Sequence, residues 1–195
     1  MNFGQENTRF IEAARDGDVE LLQSLIPLTP IEDRNRALMW AAEEGALRCV
    51  NTLIPVSNPK ANNSFALVAA ARKGFAACVQ RLIPVSNPKD RDSHALMMAA
   101  QNGNTECVEL LIPVSDPKAN HSIALFVASR NRHRHCIDLL IEVCDAELVL
   151  QRLMDAYPNT PKYWEYLQDK VCIKQRDRLI EHTLEHGRSN FSRKM

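Results

Sequence analysis

Apolar residues recur at helical spacing through most of this chain, in pairs of short runs separated by a glycine. Between Ser93 and Asn120, for example, apolar side chains follow one another three or four positions apart on each side of Gly103. A glycine there suits the left-handed conformation that ends a helix. Ser93, like Ser64 and Ser122, stands where the first helix would begin and is placed to cap its free amides. The proline of LIPVS ends the second helix, so the pattern predicts two short helices per segment, joined by a tight turn.

This helical hairpin recurs about every 29 residues. The string LIPVSNPK at 53–60 returns at 82–89 and as LIPVSDPK at 111–118, with weaker relatives at 25–30 and 140–145. Paired alanines and a following glycine keep the same interval, but the fifth copy has Ala128-Ser129 and Arg132 in their places. Because self-similarity at a fixed period identifies repeat proteins, we predict a five-unit array over 1–144. Its units lie at about 8–30, 35–59, 64–88, 93–117 and 122–144.

The shared string A-L-x-x-A-A-x-x-G-x-x-x-C-V-x-x-L-I resembles the ankyrin consensus T-P-L-H-x-A-A-x-x-G-H-x-x-I-V-x-x-L-L over residues from about 8 to 142. The resemblance implies an all-α solenoid of helical-hairpin repeats that binds other proteins. Two features depart from the family. The period is 29 residues instead of about 33, and the Thr-Pro-Leu-His opening has become Ser-x-Ala-Leu. The residues lost are those that form the family's projecting β-hairpin finger, so we expect that finger to be reduced to the SxPK turn.

A leucine-rich repeat is the alternative fold, since its period of about 20–29 residues also fits. That repeat needs an L-x-L strand followed by asparagine. None of the five units contains one, so the ankyrin-like interpretation is preferred.

The core of such an array forms only when neighbouring units stack, because one hairpin cannot bury its apolar side alone. We predict a core made of the residues that recur faithfully. They are the alanine pairs together with Leu38, Leu53, Leu67, Leu82, Leu96, Leu111, Leu125 and Leu140.

Four of the six cysteines follow the same period: Cys49, Cys78, Cys107 and Cys136. Packed helices lie about 8–10 Å apart, whereas a disulfide needs Cα atoms within about 7 Å. We therefore interpret the four as buried, reduced thiols that act as small hydrophobic side chains. A metal site or a disulfide ladder is the alternative. Cys144 and Cys172 lie outside the register and are left unassigned.

The first helix of each unit has a second face, which looks toward the concave groove in ankyrin-like stacks. Residues four apart share a helix face, and the resulting ladders differ from unit to unit: Thr8-Glu12-Asp16, Arg36-Trp40-Glu44, Phe65-Ala69-Lys73, His94-Met98-Asn102 and Ile123-Val127-Asn131. Such variation is typical of a surface adapted to one partner, although drift at unconstrained positions would also produce it. We predict partner contacts at Trp40, Glu43, Glu44, Arg72, Lys73, Met98, Gln101, Asn102, Val127, Arg130 and Asn131.

Trp40 is the foremost of these candidates, because aromatic anchors dominate binding energy at interfaces. The alternative is that Trp40 packs under a neighbouring loop. The acidic Glu43-Glu44 followed by the basic Arg72-Lys73 would present a partner with a sequence of charges that sets register. The run from 130 to 135, RNRHRH, is basic enough to take a phosphate or an acidic loop, with a solvated turn as the alternative.

The repeat stops after Asp145, and 145–195 has a different composition that includes all three tyrosines. We predict one helix over 145–157, a break at Pro158, and a longer helix capped by Thr160 that ends near Gly187, followed by a frayed tail. This pair would cap the fifth unit with Trp164 and Leu167 docked inward, unless the segment itself binds the partner. His182 and His186 have zinc-ligand spacing, but no third ligand is placed nearby, so no metal or other cofactor is expected.

Composition narrows the function. Twenty-four basic residues balance twenty-four acidic ones, so no global positive field favours nucleic acid. No run approaches the roughly 20 apolar residues of a membrane helix, and the first residues lack the layout of a signal peptide. We expect a cytoplasmic protein, with export into a host cell as the alternative.

The preferred function is therefore a non-enzymatic protein-binding module, acting as an inhibitor, an antitoxin or immunity protein, or an effector. No phosphate-binding loop, nucleophile elbow or HExxH motif is present in the sequence. A nucleic-acid or small-ligand binder, or an enzyme using the C-terminal region, is the alternative. The partner's identity and the oligomeric state are left open.

Overall fold

A computed structural model describes the backbone of residues 3–192 and the side chains of residues 8–181. Its α-helices are α1 (Phe3–Asp16), α2 (Val19–Leu25), α3 (Ile31–Glu43), α4 (Leu47–Leu53), α5 (Ala61–Lys73), α6 (Ala76–Leu82), α7 (Asp90–Asn102), α8 (Thr105–Leu111), α9 (Ala119–Asn131), α10 (Arg134–Leu140), α11 (Ala146–Ala156) and α12 (Glu165–Ser192). Short 3-10 helices cover Ile26–Leu28, Ile54–Val56, Ile83–Val85 and Pro161–Tyr163. The all-α repeat solenoid predicted from the sequence is confirmed.

The helices form two layers. In the first layer, the leading helices α1, α3, α5, α7 and α9 pack on one another in chain order, and α11 continues the row. In the second layer, the shorter helices α2, α4, α6, α8 and α10 do the same. The core lies between the layers, and the predicted leucines and repeated alanines occupy it with at most 2% of their surface exposed. The predicted core is therefore confirmed.

The connection between units is short. The LIPVS segment continues each second helix into a 3-10 turn that contains the proline, as at Ile54–Val56 and Ile83–Val85. In the turn that follows, the side chain of Asn58, Asn87 or Asp116 accepts a hydrogen bond from the backbone N–H two residues later. Within the described residues the chain forms no β-strand. The projecting finger is thus replaced by a compact turn that its own side chains hold together.

The predicted role of the repeated serines as helix N-caps is wrong. Residues 62–64, 91–93 and 120–122 each have positive φ values between 47° and 60°, so the chain makes one left-handed turn before the right-handed part of α5, α7 and α9. Asparagine, aspartate and histidine tolerate this conformation better than most residues. It turns each serine away from its own helix and buries its hydroxyl against the next unit.

The C-terminal helices pack on the fifth unit. Helix α11 packs on α9 and on α12, and Leu167 of α12 is fully buried. Trp164 is half-buried, and its indole N–H donates to the carbonyl of Tyr157 at 3.4 Å. Lys170 of α12 pairs with Asp138 of α10 at 2.7 Å, and Lys174 pairs with Glu142 at 2.8 Å. These contacts attach the appendage to the last hairpin.

Two details of the predicted appendage are wrong. The side chain of Thr160 makes no capping hydrogen bond, because a 3-10 turn over Pro161–Tyr163 intervenes and α12 begins only at Glu165. The long helix also continues past Gly187 to Ser192 instead of ending in a frayed tail there. The end of the predicted tail, 193–195, lies outside the described residues.

Candidate protein-binding surface

The candidate surface is the partly exposed side of the first-helix layer, which we call the groove face. Apolar side chains occupy its middle, and polar or charged side chains occupy the carboxyl-terminal ends of the helices. The half-buried apolar or aromatic members are Met39, Trp40, Phe65, His94, Met97, Met98, Ile123 and Phe126. Of these, Met97, Met98, Ile123 and Phe126 also pack against the core. These four side chains are therefore held in place by core contacts, while part of their surface stays exposed to solvent.

Trp40 lies at the amino-terminal end of this face, under an arginine from the neighbouring helix. The guanidinium of Arg15 lies 4.9 Å from the centroid of the Trp40 ring, within cation–π range. Arg15 also approaches Glu44 at 3.8 Å. Trp40 is half-buried, and the partly exposed Arg15 side chain lies over its ring.

The other end of the face has a similar arrangement. Arg152 of α11 lies 4.9 Å from the centroid of the Phe126 ring and donates to the carbonyl of His121 at 2.8 Å. An arginine stacked on an aromatic ring therefore borders the apolar strip on both sides. Sequence reasoning missed Phe126 because it lies one position before the ladder residue Val127. The signal was present, since Met39, Val68, Met97 and Phe126 recur at the 29-residue interval.

Charged residues of neighbouring units pair with each other, which corrects one expectation. Glu43 accepts from Arg72 at 2.8 Å and lies 3.7 Å from Lys73. The predicted acidic-to-basic sequence is therefore largely neutralised within the molecule. Only 14% of the Glu43 side chain is exposed, against 38% for Arg72, so the basic side is the more open to a partner.

The amide side chains farther along also bond within the protein. The Asn131 amide donates to the carbonyl of Gln101 at 2.7 Å, and the Asn102 amide donates to the carbonyl of Met98 at 2.8 Å. Gln101, Arg130 and Asn131 are half-buried and Asn102 is exposed. These residues lie together at one edge of the groove face.

Val127 does not belong to the proposed surface. It is only 5% exposed, and Ala69 at the equivalent position of an earlier unit is only 1% exposed. Short side chains at this register are covered by their neighbours, whereas the longer Trp40 and Met98 stay half-buried. The prediction that Val127 contacts a partner is therefore wrong, because almost none of its surface can be reached.

The periodic cysteines are buried, as the sequence predicted: Cys49, Cys78, Cys107 and Cys136 are each at most 1% exposed. Burial raises the pKa of each of these thiols, and that of Cys107 to about 11. Cys144 is half-buried, donates to the carbonyl of Pro117 at 3.1 Å, and has a pKa raised by burial to about 12. Cys172 is exposed.

Among the described residues, no three or more histidine, cysteine, aspartate or glutamate side chains are grouped so that they could hold a metal ion. The side chains of His182 and His186 lie outside the described residues. No helix in the described part is both long enough and apolar enough to cross a membrane.

Comparisons with known proteins agree with the geometry. A family profile described as ankyrin repeats (3 copies) matches residues 10–92 and again residues 67–152. The crystal structure of the human ASB11 ankyrin repeat domain is similar, with a TM-score of 0.65 and 22% sequence identity, and the alignment covers 82% of each chain. A search of curated protein sequences gave no significant match.

Proposed function

The chain belongs to the ankyrin-repeat family, and we propose that it is a non-enzymatic module that binds one specific protein partner through the groove face. Ankyrin repeats are generally protein–protein interaction modules. The fold does not identify a partner, so the proposal depends on the chemistry of the surface itself.

The observation that carries the proposal is the contrast between the two sides of the same helices. Core positions keep one residue type from unit to unit, because each unit packs on a copy of itself. The groove positions do not. One holds Arg36, Phe65, His94 and Ile123. At another, Trp40 and Met98 are half-buried, whereas Ala69 and Val127 are covered. Stacking of the repeats does not require different residues at equivalent groove positions, whereas recognition of an irregular partner surface does require them.

The groove face also has the composition of an interface centre. Large, partly exposed residues such as Trp40, Phe65 and Met98 lie in a strip with polar residues at its edge. Aromatic and methionine side chains are enriched at protein interfaces, and a few buried aromatic or arginine side chains inside a polar rim carry most of the binding energy. Because Glu43 is paired with Arg72 inside the molecule, we expect affinity to come from apolar anchors more than from net charge.

A nucleic-acid ligand is less well supported. Binding to phosphate backbones needs several unpaired basic side chains, whereas Arg72 and Lys73 both lie within 4 Å of Glu43. Within the protein-binding class, the roles we propose are those of an inhibitor, an antitoxin or immunity protein, or an effector acting in a cytoplasm.

The test is capture of a partner from native lysate by the full chain and by two groove variants, Trp40→Ala and Met98→Glu, with bound proteins identified by mass spectrometry. Ala77→Glu is the matched control, since Ala77 is exposed on the second-helix layer and the change adds the same charge. We expect both groove variants to lose the partner and the control to keep it, with unchanged helical content.

A photo-crosslinking amino acid locates the contact independently. Placed at His94 it should form adducts with the captured partner, and placed at Gln80 on α6 it should not. Retention of the same partner by both groove variants, or crosslinks only from positions in 145–181, would move the binding surface to the C-terminal helices.

A further inference from the structure

A cavity lies between the fifth unit and the C-terminal appendage. It has a volume of about 240 Å³ and is bounded by the turn that joins α9 to α10 and by the first turns of α12 with the 3-10 helix before it. Its lining includes Ser129, Arg132 and Arg134 from the repeat, and Lys162, Tyr163 and Tyr166 from the appendage. We call it the Ser129 cavity. It lies apart from the apolar strip of the groove face, and nothing in the proposed protein-binding function uses it.

The repeat itself supplies the internal comparison. The fifth unit contributes four lining residues, and three of them replace small or apolar residues of other units with polar or charged ones. Ser129 replaces Ala42, Ala71 and Ala100; Arg132 replaces Gly45, Gly74 and Gly103; Arg134 replaces Leu47, Ala76 and Thr105. Three departures from a faithful pattern therefore meet in one place, and each adds a hydrogen-bond donor or a positive charge.

Two of these departures cost stability in the folded protein. Arg132 has a φ of 63°, in the left-handed region where its counterparts are glycines, and a side chain there is strained. Ser129 is 1% exposed and its hydroxyl has no hydrogen-bond partner, as is also true of the buried Ser86 and Ser115 hydroxyls in other units. The arginine in place of a turn glycine is therefore the departure that sets the fifth unit apart, since backbone strain tends to persist at functional sites.

The charged side chains around the cavity are held by aromatic rings. Arg134 lies 5.0 Å from the centroid of Tyr166, and Lys162 lies 5.6 Å from the centroid of Tyr163. The Tyr166 hydroxyl donates to Asp138 at 2.9 Å, which fixes that ring. The tyrosine rings therefore orient Arg134 and Lys162 but leave their positive charges unneutralised. Glu165 and Asp169 also line the cavity and are exposed, so the three cations exceed the carboxylates by one formal charge.

We propose that the Ser129 cavity binds a phosphate monoester, with the exposed side chains of Arg132, Arg134 and Lys162 providing the positive charge and the N–H donors. Arginine binds phosphate oxygens with paired N–H donors. A phosphoryl group has three terminal oxygens, which uses more donors than the two oxygens of a carboxylate. The tyrosine rings give the organic part of an ester an apolar wall.

The test is a titration of the isotope-labelled full chain with phenyl phosphate, inorganic phosphate and acetate at constant ionic strength, followed by NMR chemical shifts. We expect saturable shifts with phenyl phosphate and weaker or no binding of acetate. Equal affinity for inorganic phosphate would assign the site to free phosphate instead of an ester. Absence of saturation with both phosphates, or equally tight binding of acetate, would overturn the proposal.

Two variants restore a residue of the other units, Arg132→Gly and Arg134→Thr. Each should weaken phosphate binding by about tenfold, the effect of losing one hydrogen bond to a charged group. In Arg132→Gly the melting temperature should stay equal or rise, because the strained side chain is gone. Glu165→Gln should tighten phosphate binding, because it removes a carboxylate that repels the negatively charged phosphate.

Arg91→Gly is the matched control, since Arg91 is also an exposed arginine with positive φ, at 49°, in another unit. It should leave phosphate affinity unchanged. If affinity is unchanged in Arg132→Gly and Arg134→Thr, or if it falls equally in Arg91→Gly, the Ser129 cavity is not the phosphate site.

Discussion

The hydroxyl of Ser93 accepts a hydrogen bond from the backbone N–H of Asp116, which lies 2.8 Å away and 23 residues later in the chain. The same bond recurs in the other units. Asn58 donates to the side chain of Asn35, Asn87 donates to Ser64, and Asp145 donates to Ser122. Each bond joins the left-handed turn of one unit, or its equivalent, to the asparagine or aspartate turn of the next. The faithful SNPK string therefore has a structural role between units.

Removing this bond should destabilise the array. We expect Ser93→Ala to lower the free energy of unfolding by about 1–2 kcal/mol, because it leaves the Asp116 N–H without its partner. Urea denaturation followed by circular dichroism measures the change. Ser86→Ala is the control, since Ser86 is also buried but its hydroxyl has no partner. Equal losses in the two variants would show that the Ser93 bond contributes nothing beyond packing.

The glycine between the two helices of a unit should be required for two separable reasons. Gly103 has a φ of 74°, and a Cβ atom there would lie 2.6 Å from Nδ1 of His133. Gly17 has a similar φ of 78° but no heavy atom within 4 Å of such a Cβ.

We expect Gly17→Ala to cost about 1–2 kcal/mol through backbone strain alone. Gly103→Ala should cost about 1–3 kcal/mol more through crowding. Thermal unfolding of both variants separates the cost of backbone strain from the cost of crowding. A smaller loss for Gly103→Ala than for Gly17→Ala would mean that the His133 ring moves aside freely.

The buried thiols should make the protein less stable in alkali. Burial, followed by the nearby Glu106 carboxylate, raises the pKa of Cys107 from its ordinary 9.0 to about 11. Between those values the unfolded chain has lost the thiol proton while the folded chain still holds it. The unfolded state then binds fewer protons, so the stability that is present below about pH 9 falls as pH rises toward about 11.

Unfolding free energies of the wild type and of Cys107→Val, compared at about pH 8 and about pH 10.5, test this linkage. The valine variant should lose roughly 1–2 kcal/mol less over that interval. It should still lose some stability, because the pKa values of Cys49, Cys78 and Cys136 are also raised by burial. Identical pH dependence in the two proteins would contradict the linkage for Cys107.

Much of the candidate surface could not be read from residue spacing. The ladder rule placed Trp40 and Val127 on the same face, but the long tryptophan stays half-buried while valine is covered, because exposure depends on the neighbouring helix as well as on register. The charges of Glu43 and Arg72 look available in sequence, yet they meet across units 29 residues apart. Sequence spacing predicts on which helix face a side chain lies, but it does not predict which residues of neighbouring helices contact that side chain.

The sequence by itself determined the period, the helical hairpin, the apolar core and the burial of the periodic cysteines. These features follow from local rules, since helical spacing, glycine and proline act within a few residues and the repetition then fixes how neighbours stack. Tertiary structure alone decided that Ser64, Ser93 and Ser122 serve the next unit, that Arg15 covers Trp40, and that Ser129, Arg132 and Lys162 share one cavity. Each of those relationships joins residues distant in the chain, and their distances depend on the packing of whole helices.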